Sequence, residues 1–187
     1  VEMLQNTLPA VFNRAGYETF RTCKNGNSYG LANELFQIVK DKSCRNADVD
    51  SGSQWHGSQV LSYLEERHVR KEEKPFLIYF GFSHPHDARN GRNDLLNKYG
   101  AENVQNPPVT INRKAPKLPI SWLPAHPFHH GHPKLRDEVN VPGVKTSRTE
   151  ATVRNELGRE YACIENIDEQ VGLVINKLKE IGEFENT

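Results

Sequence analysis

Apolar and polar positions divide the chain into a few regular stretches. Leu8, Val11, Phe12 and Ala15 keep helical spacing behind Thr7-Leu8-Pro9, which predicts a helix opened by a threonine cap and an early proline and stopped at Gly16. Residues 17–22 alternate as a strand does. Residues 31–39 fit a short helix and a strand equally well. Residues 53–66 predict a helix that buries Trp55, Val60, Leu61 and Leu64, followed by a charged turn over residues 65–74. That turn leads into Pro75-Phe76-Leu77-Ile78-Tyr79-Phe80-Gly81-Phe82, a run so short, aromatic and apolar that it predicts a central strand buried on both faces of a parallel sheet. The order is β-α-β.

Residues 88–145 differ in character. They are dense in Pro and Gly, carry His126, His129, His130 and His132, and predict a long irregular loop folded over a site. Ser147-x-x-Glu150 is a capping box, and Tyr161, Ile164, Ile167, Val171, Val174, Leu178 and Ile181 form one apolar stripe along a helix closed by Gly182. Gly158 predicts a break in that helix. The chain stops at Asn186-Thr187, where an α/β protein would enter its next strand, and the expectation is a partial domain. The fold class is α/β, with a mixed, mainly parallel sheet flanked by helices.

Composition narrows the function. Lys and Arg balance Asp and Glu at 24 each, so no general attraction to nucleic acid or to an anionic membrane is written into the chain. No apolar run is long enough to cross a membrane. Cys23, Cys44 and Cys163 are odd in number and form no C-x-x-C pair, which argues against a disulfide scaffold and a structural zinc knuckle.

Open α/β sheets place their ligands beyond the carboxyl ends of the strands. After the apolar strand that position holds His84, His86 and Asp87; after residues 17–22 it holds the turn Lys24-Asn25-Gly26-Asn27-Ser28. Each has a bland reading beside the chemical one. A lysine in an Asn/Gly turn is ordinarily solvated, His84 could hydrogen-bond its own loop, and Asp87 could cap the following turn. The four loop histidines suit zinc by type, but no carboxylate or cysteine follows at ligand spacing, so they are expected to contact substrate, His129 and His130 above all, or to pack the lid.

Three blocks, in order, resemble the formylglycine-dependent sulfatases of the alkaline-phosphatase-like superfamily: Leu8-Pro9-Ala10-Val11-Phe12-Asn13-Arg14-Ala15-Gly16-Tyr17-Glu18-Thr19, then Lys74 to His86, then Glu160-Tyr161-Ala162-Cys163-Ile164-Glu165-Asn166-Ile167-Asp168-Glu169-Gln170-Val171-Gly172. The resemblance implies an alkaline-phosphatase-like fold and hydrolysis of a sulfate monoester on a small molecule or glycan. It implies a cysteine of C-x-P-S-R converted to formylglycine, a divalent cation, usually calcium, and a periplasmic or secreted parent. Lys24 matches the family's lysine after the Gly-Tyr-x-Thr strand, and His86 matches the histidine of its x-Pro-His motif. Both would contact sulfate, and one would help protonate the leaving oxygen. His84, Asp87, His129 and His130 are expected to touch substrate.

The departures set the boundaries of that expectation. No cysteine here lies in C-x-P-S-R, and the paired aspartates and the later Asp-Asn or Asp-His-Gly metal motif are absent; where the family reads Gly-Lys-Trp-His, this chain has Cys23-Lys24-Asn25-Gly26. Residues 1–187 are thus expected to be part of a catalytic domain whose nucleophile and calcium ligands lie elsewhere, and to be inactive alone. A phosphate or phosphonate ester hydrolase of the same superfamily and a non-catalytic binder of sulfated glycans are the alternatives.

Overall fold

The structure is a computed structural model that describes residues 3–26, 29–44, 52–86, 88–103, 108–122 and 149–187. In chain order it contains α1 (Leu8–Arg14), β1 (Glu18–Cys23), α2 (Gly30–Asn33), β2 (Ile38–Asp41), α3 (Ser53–Arg70), β3 (Phe76–Phe80), α4 (Asn93–Lys98) and α5 (Glu150–Glu180). Single 3₁₀ turns flank them at Leu4–Asn6 and Phe184–Asn186. The chain divides into two compact units. One comprises Val1–Cys44, Val49–Ser83 and Glu169–Thr187; the other comprises Arg45–Asp48 and His84–Asp168.

The first unit holds a three-stranded sheet of order β2-β1-β3, with both pairings parallel. β1 is therefore the central strand, and β3 lies at an edge among the described residues. Its apolar side chains are half-buried and Tyr79 is exposed, so the expectation of a strand covered on both faces is not met within residues 76–80. β1 does not alternate between core and solvent either. Thr19 to Cys23 are all buried, because hydrogen-bonded neighbours on both sides and helices over its faces leave no solvent side.

Phe20 stacks on Tyr63 of α3 with ring centroids 4.5 Å apart, and Val60, Leu64, Val174 and Leu178 complete that core. On the other face, Thr19 donates to Asn13 Oδ1 of α1 at 2.8 Å, and the Asn13 amide donates to the Leu35 carbonyl at 2.7 Å. Arg21, 3% exposed, donates through Nε to both carboxylate oxygens of Asp41 and lies 4.9 Å from the centroid of the Tyr79 ring. These contacts let a strand with Glu, Thr and Arg occupy the middle of a sheet.

The ends of the elements carry several corrections. Thr7 does not cap α1 with its side chain; its hydroxyl donates back to the Leu4 carbonyl at 2.7 Å. The ambiguous residues 31–39 divide into α2 and the start of β2. α3 runs through the charged stretch to Arg70, because Arg67 faces inward to Glu18 while its neighbours face solvent. Trp55 is only half-buried.

In the second unit, α4 lies inside the segment expected to be irregular, and Leu95 and Leu96 pack with Ala101 and Ala162. Ser147 of the proposed capping box lies outside the described residues; Thr149 Oγ1 accepts from the Thr152 amide at 3.2 Å. α5 continues without a break through Gly158, whose hydrogen faces Ala101: a Cβ there would come within 2.7 Å of Ala101 Cβ and 2.9 Å of the Tyr99 carbonyl oxygen. The apolar stripe is only partly the core. Val174 and Leu178 are buried, whereas Tyr161, Ile164 and Val171 are exposed and Ala162, Cys163, Asn155, Arg159, Asn166 and Gln170 are covered instead.

Gly158→Ala should cost about 1–3 kcal/mol of stability from overpacking and so lower the unfolding midpoint, although alanine is the better helix former by about 1 kcal/mol. Thermal unfolding followed by circular dichroism checks this, and an unchanged or raised midpoint would contradict the close packing.

Glu18 generates a second expectation. Burial alone would raise its carboxyl, but hydrogen bonds from Arg67 and Tyr63 and the charges of Arg67 and Arg70 outweigh it and hold the group below the ordinary 4.5. Its stabilisation is complete above the unfolded value and is lost as pH falls through the lower, folded value. Glu18→Gln should cost about 2 kcal/mol at pH 7, with the gap to wild type closing once Glu18 itself is protonated. A gap that persists at that pH would point to packing rather than charge.

Candidate active site

The carboxyl edge of the sheet in the first unit is laced together by main-chain contacts. The Lys42 amide donates to the Cys23 carbonyl at 2.9 Å, the Asn25 amide to Ser43 Oγ at 3.3 Å and the Cys44 amide to Ser83 Oγ at 2.8 Å. The Gly81 amide donates to the Thr22 carbonyl at 2.8 Å, and a Cβ on Gly81 would sit 2.7 Å from Cys23 Sγ. Only glycine lets β3 leave the sheet so close to the end of β1. Beneath this edge, Thr22 Oγ1 and His56 Nδ1 are 2.8 Å apart and fully buried.

Lys24 follows β1 directly. It is only 9% exposed, yet among the described residues its ammonium has no hydrogen bond or ion pair. A lysine stem can lie against protein while its head reaches the rim, and Nζ of Lys24 is not one of the fully buried atoms left without a partner. Lys24 thus lies at the carboxyl edge of the parallel sheet, the edge where open α/β sheets hold their ligands. Lys24 is covered while Asn25 and Gly26 after it are exposed, because the bonds from Lys42 and Asn25 draw residues 23–25 onto the end of β2.

The other candidates lie in the second unit or beyond the described residues. His84 is 5% exposed and joined to Pro85 by a cis peptide bond, and His86 is half-buried. Asp87, His129 and His130 lie outside the described residues, as do His126 and His132. Sequence reasoning missed the roles of Gly81, Ser43, Ser83 and His56. Gly81 alone carried a signal, as a glycine ending an apolar strand.

The cysteines are unsuited to nucleophilic work. All three are buried and free, and burial pushes the Cys163 thiol up to about 12 and raises that of Cys44. A thiol so far above neutral pH stays protonated. Among the described residues no group of three or more His, Cys, Asp or Glu could hold a metal ion. The described residues therefore assemble no calcium centre, and no cysteine of the chain lies in C-x-P-S-R.

The profile of the Sulfatase family matches residues 4–187, which is nearly the whole chain. The chain belongs to the sulfatase family. The crystal structure of the candidate sulfatase yidJ from Bacteroides fragilis matches 96% of this sulfatase-family chain with a TM-score of 0.57 at 17% identity, a likeness of fold. The α/β architecture is thus alkaline-phosphatase-like. The chain spans 41% of yidJ. A stretch of 94 residues is also 28% identical to the glutamate–tRNA ligase of Pelobacter propionicus, covering 50% of this chain and 19% of the ligase. That shorter likeness leaves the assignment from the near-complete sulfatase match unchanged.

Lys24→Met tests the unpartnered cation apart from any turnover. If the ammonium awaits an anion, the variant should be as stable as wild type or up to about 2 kcal/mol more stable. Added sulfate should raise the midpoint of wild type and not that of the variant. A destabilised variant that keeps its sulfate response would contradict the assignment.

Proposed function

We propose that the protein containing this chain hydrolyses sulfate monoesters, and that Lys24 and His86 act on the sulfate. The observation that carries the reading is Lys24, little exposed and without a hydrogen bond or ion pair among the described residues, at the carboxyl edge of a sulfatase-family sheet. Hydrolysis divides the ester and water into an alcohol and sulfate. As the S–O bond breaks, charge grows on the departing oxygen while the sulfuryl oxygens stay anionic. A fixed ammonium stabilises those oxygens without having to reorganise during the step. An imidazolium at His86 would pass a proton to the departing oxygen, so that an alcohol leaves rather than an alkoxide.

The family resemblance adds calcium and a formylglycine. The first would neutralise sulfate charge and the second would supply the attacking oxygen. We assign both to segments other than residues 1–187, since C-x-P-S-R is absent here and the described residues hold no acidic metal cluster. His84, Asp87, His129 and His130 remain proposed contacts to the alcohol portion, a sulfated small molecule or glycan.

The test is turnover by the full-length protein, matured by a formylglycine-generating system, on sulfated aryl esters and sulfated sugars beside the matching phosphates. Sulfate hydrolysis is expected, with Lys24→Ala and His86→Ala each lowering it by about 10²-fold or more while the unfolding midpoint stays close to wild type. Turnover of phosphates alone would contradict the reading and favour a phosphate or phosphonate esterase. Binding of sulfated glycans without turnover would favour a non-catalytic binder.

A further inference from the structure

The second unit contains a clamp that the proposed chemistry does not use. Arg159 of α5 is 2% exposed, and each of its nitrogens has a partner. Nε donates to the Arg89 carbonyl at 2.9 Å, Nη2 to Asn90 Oδ1 at 3.0 Å and Nη1 to Glu156 Oε1 at 2.7 Å. The next residue is held as firmly. The Gly91 amide donates to Asn103 Oδ1 at 3.2 Å, and its carbonyl accepts from Asn103 Nδ2 at 3.0 Å. A Cβ on Gly91 would already lie 3.0 Å from Leu96 Cδ2 and 3.2 Å from Ala162 Cβ. Residues 89–91 are therefore fastened to α5 and its neighbours by charge-assisted bonds from a buried guanidinium and by contact.

His86 is three residues before Arg89, a span of at most about 10 Å of chain. We infer that Arg159 is a positioning residue, which by fixing the Arg89 carbonyl and the Asn90 side chain sets the place from which His86 delivers its proton. This rests on the reading of His86 as the proton donor. Arginine is needed because one planar fork reaches a main-chain carbonyl, an amide oxygen and a carboxylate at once, which an ammonium on a flexible stem cannot reproduce. Displacement of a reacting group by about 1 Å can cost 10²-fold in rate, so a clamp some residues away has leverage on the chemistry.

An arginine this buried could serve folding alone, and the choice of ester separates the two roles. When the departing oxygen belongs to a sugar or an alkyl alcohol, it takes the S–O electron pair and needs a proton. When it belongs to 4-nitrophenol it leaves as the phenolate and needs none. The experiment measures kcat of the full-length matured enzyme on an alkyl sulfate and on 4-nitrophenyl sulfate for Arg159→Lys, Asn90→Ala, His86→Ala and Arg159→Lys combined with His86→Ala. Asn90→Ala removes the Asn90 amide from Arg159 and spares the Glu156 pair, so it keeps the test available should Arg159→Lys fold poorly.

Arg159→Lys and Asn90→Ala are expected to lose about 10-fold or more on the alkyl sulfate and less than about 3-fold on the nitrophenyl ester. The double variant should be no worse than His86→Ala. Equal losses on both esters, or a loss that adds to that of His86→Ala, would overturn the positioning role while leaving His86 as the donor. A His86→Ala enzyme that does not distinguish the two esters would overturn the donor reading itself, and the inference with it.

Discussion

β1 is hydrogen-bonded on both sides, so it is buried whatever its composition, and its composition is largely polar. The first unit can exist only because each polar group on that strand finds a partner before water is excluded. Arg21 meets Asp41 from the neighbouring strand, Thr19 meets Asn13, and Thr22 lies against His56. An unpaired polar group there would cost about 1–3 kcal/mol or more. Against that background Lys24 stands out. It is the next residue along, nearly as buried as those before it, and it alone in this run lacks a hydrogen-bonding partner for its charge among the described residues.

The same pairing explains how the edge is built. Parallel strands all deliver their carboxyl ends to one side, and here each strand is followed at once by residues that tie the edge together: Asn25 after β1, Lys42 and Ser43 after β2, Gly81 and Ser83 after β3. Most of these bonds use main-chain amides, whose positions depend on strand register rather than on side-chain identity.

Much of the first unit was legible in the sequence, since helical spacing, a strand of consecutive apolar residues and punctuating glycines are local signals. The strand order was not. Phe76 to Phe80 reads as the most apolar strand and so as the central one, whereas β1 takes the centre because Arg21 is neutralised by Asp41, twenty residues away, and stacked near Tyr79. Gly158 reads as a helix break for a similar reason: its neighbour is Ala101, which sequence spacing does not reveal. The stripe on α5 failed where the helix buries amides and a guanidinium, a face with no apolar period. Of the candidate site, Lys24 and His86 are proposed from their positions at strand ends and from family resemblance. The burial of Lys24 is a property of the tertiary fold alone.

The central claim is the proposal that Lys24, at the carboxyl edge, and His86, beyond β3, serve one sulfate. A crystal structure of the full-length protein with sulfate bound after turnover tests it most directly. The account predicts a sulfate oxygen within about 3.2 Å of Lys24 Nζ and another within the same reach of a ring nitrogen of His86. A sulfate held elsewhere, or a Lys24 ammonium paired with a carboxylate of its own protein, would contradict it.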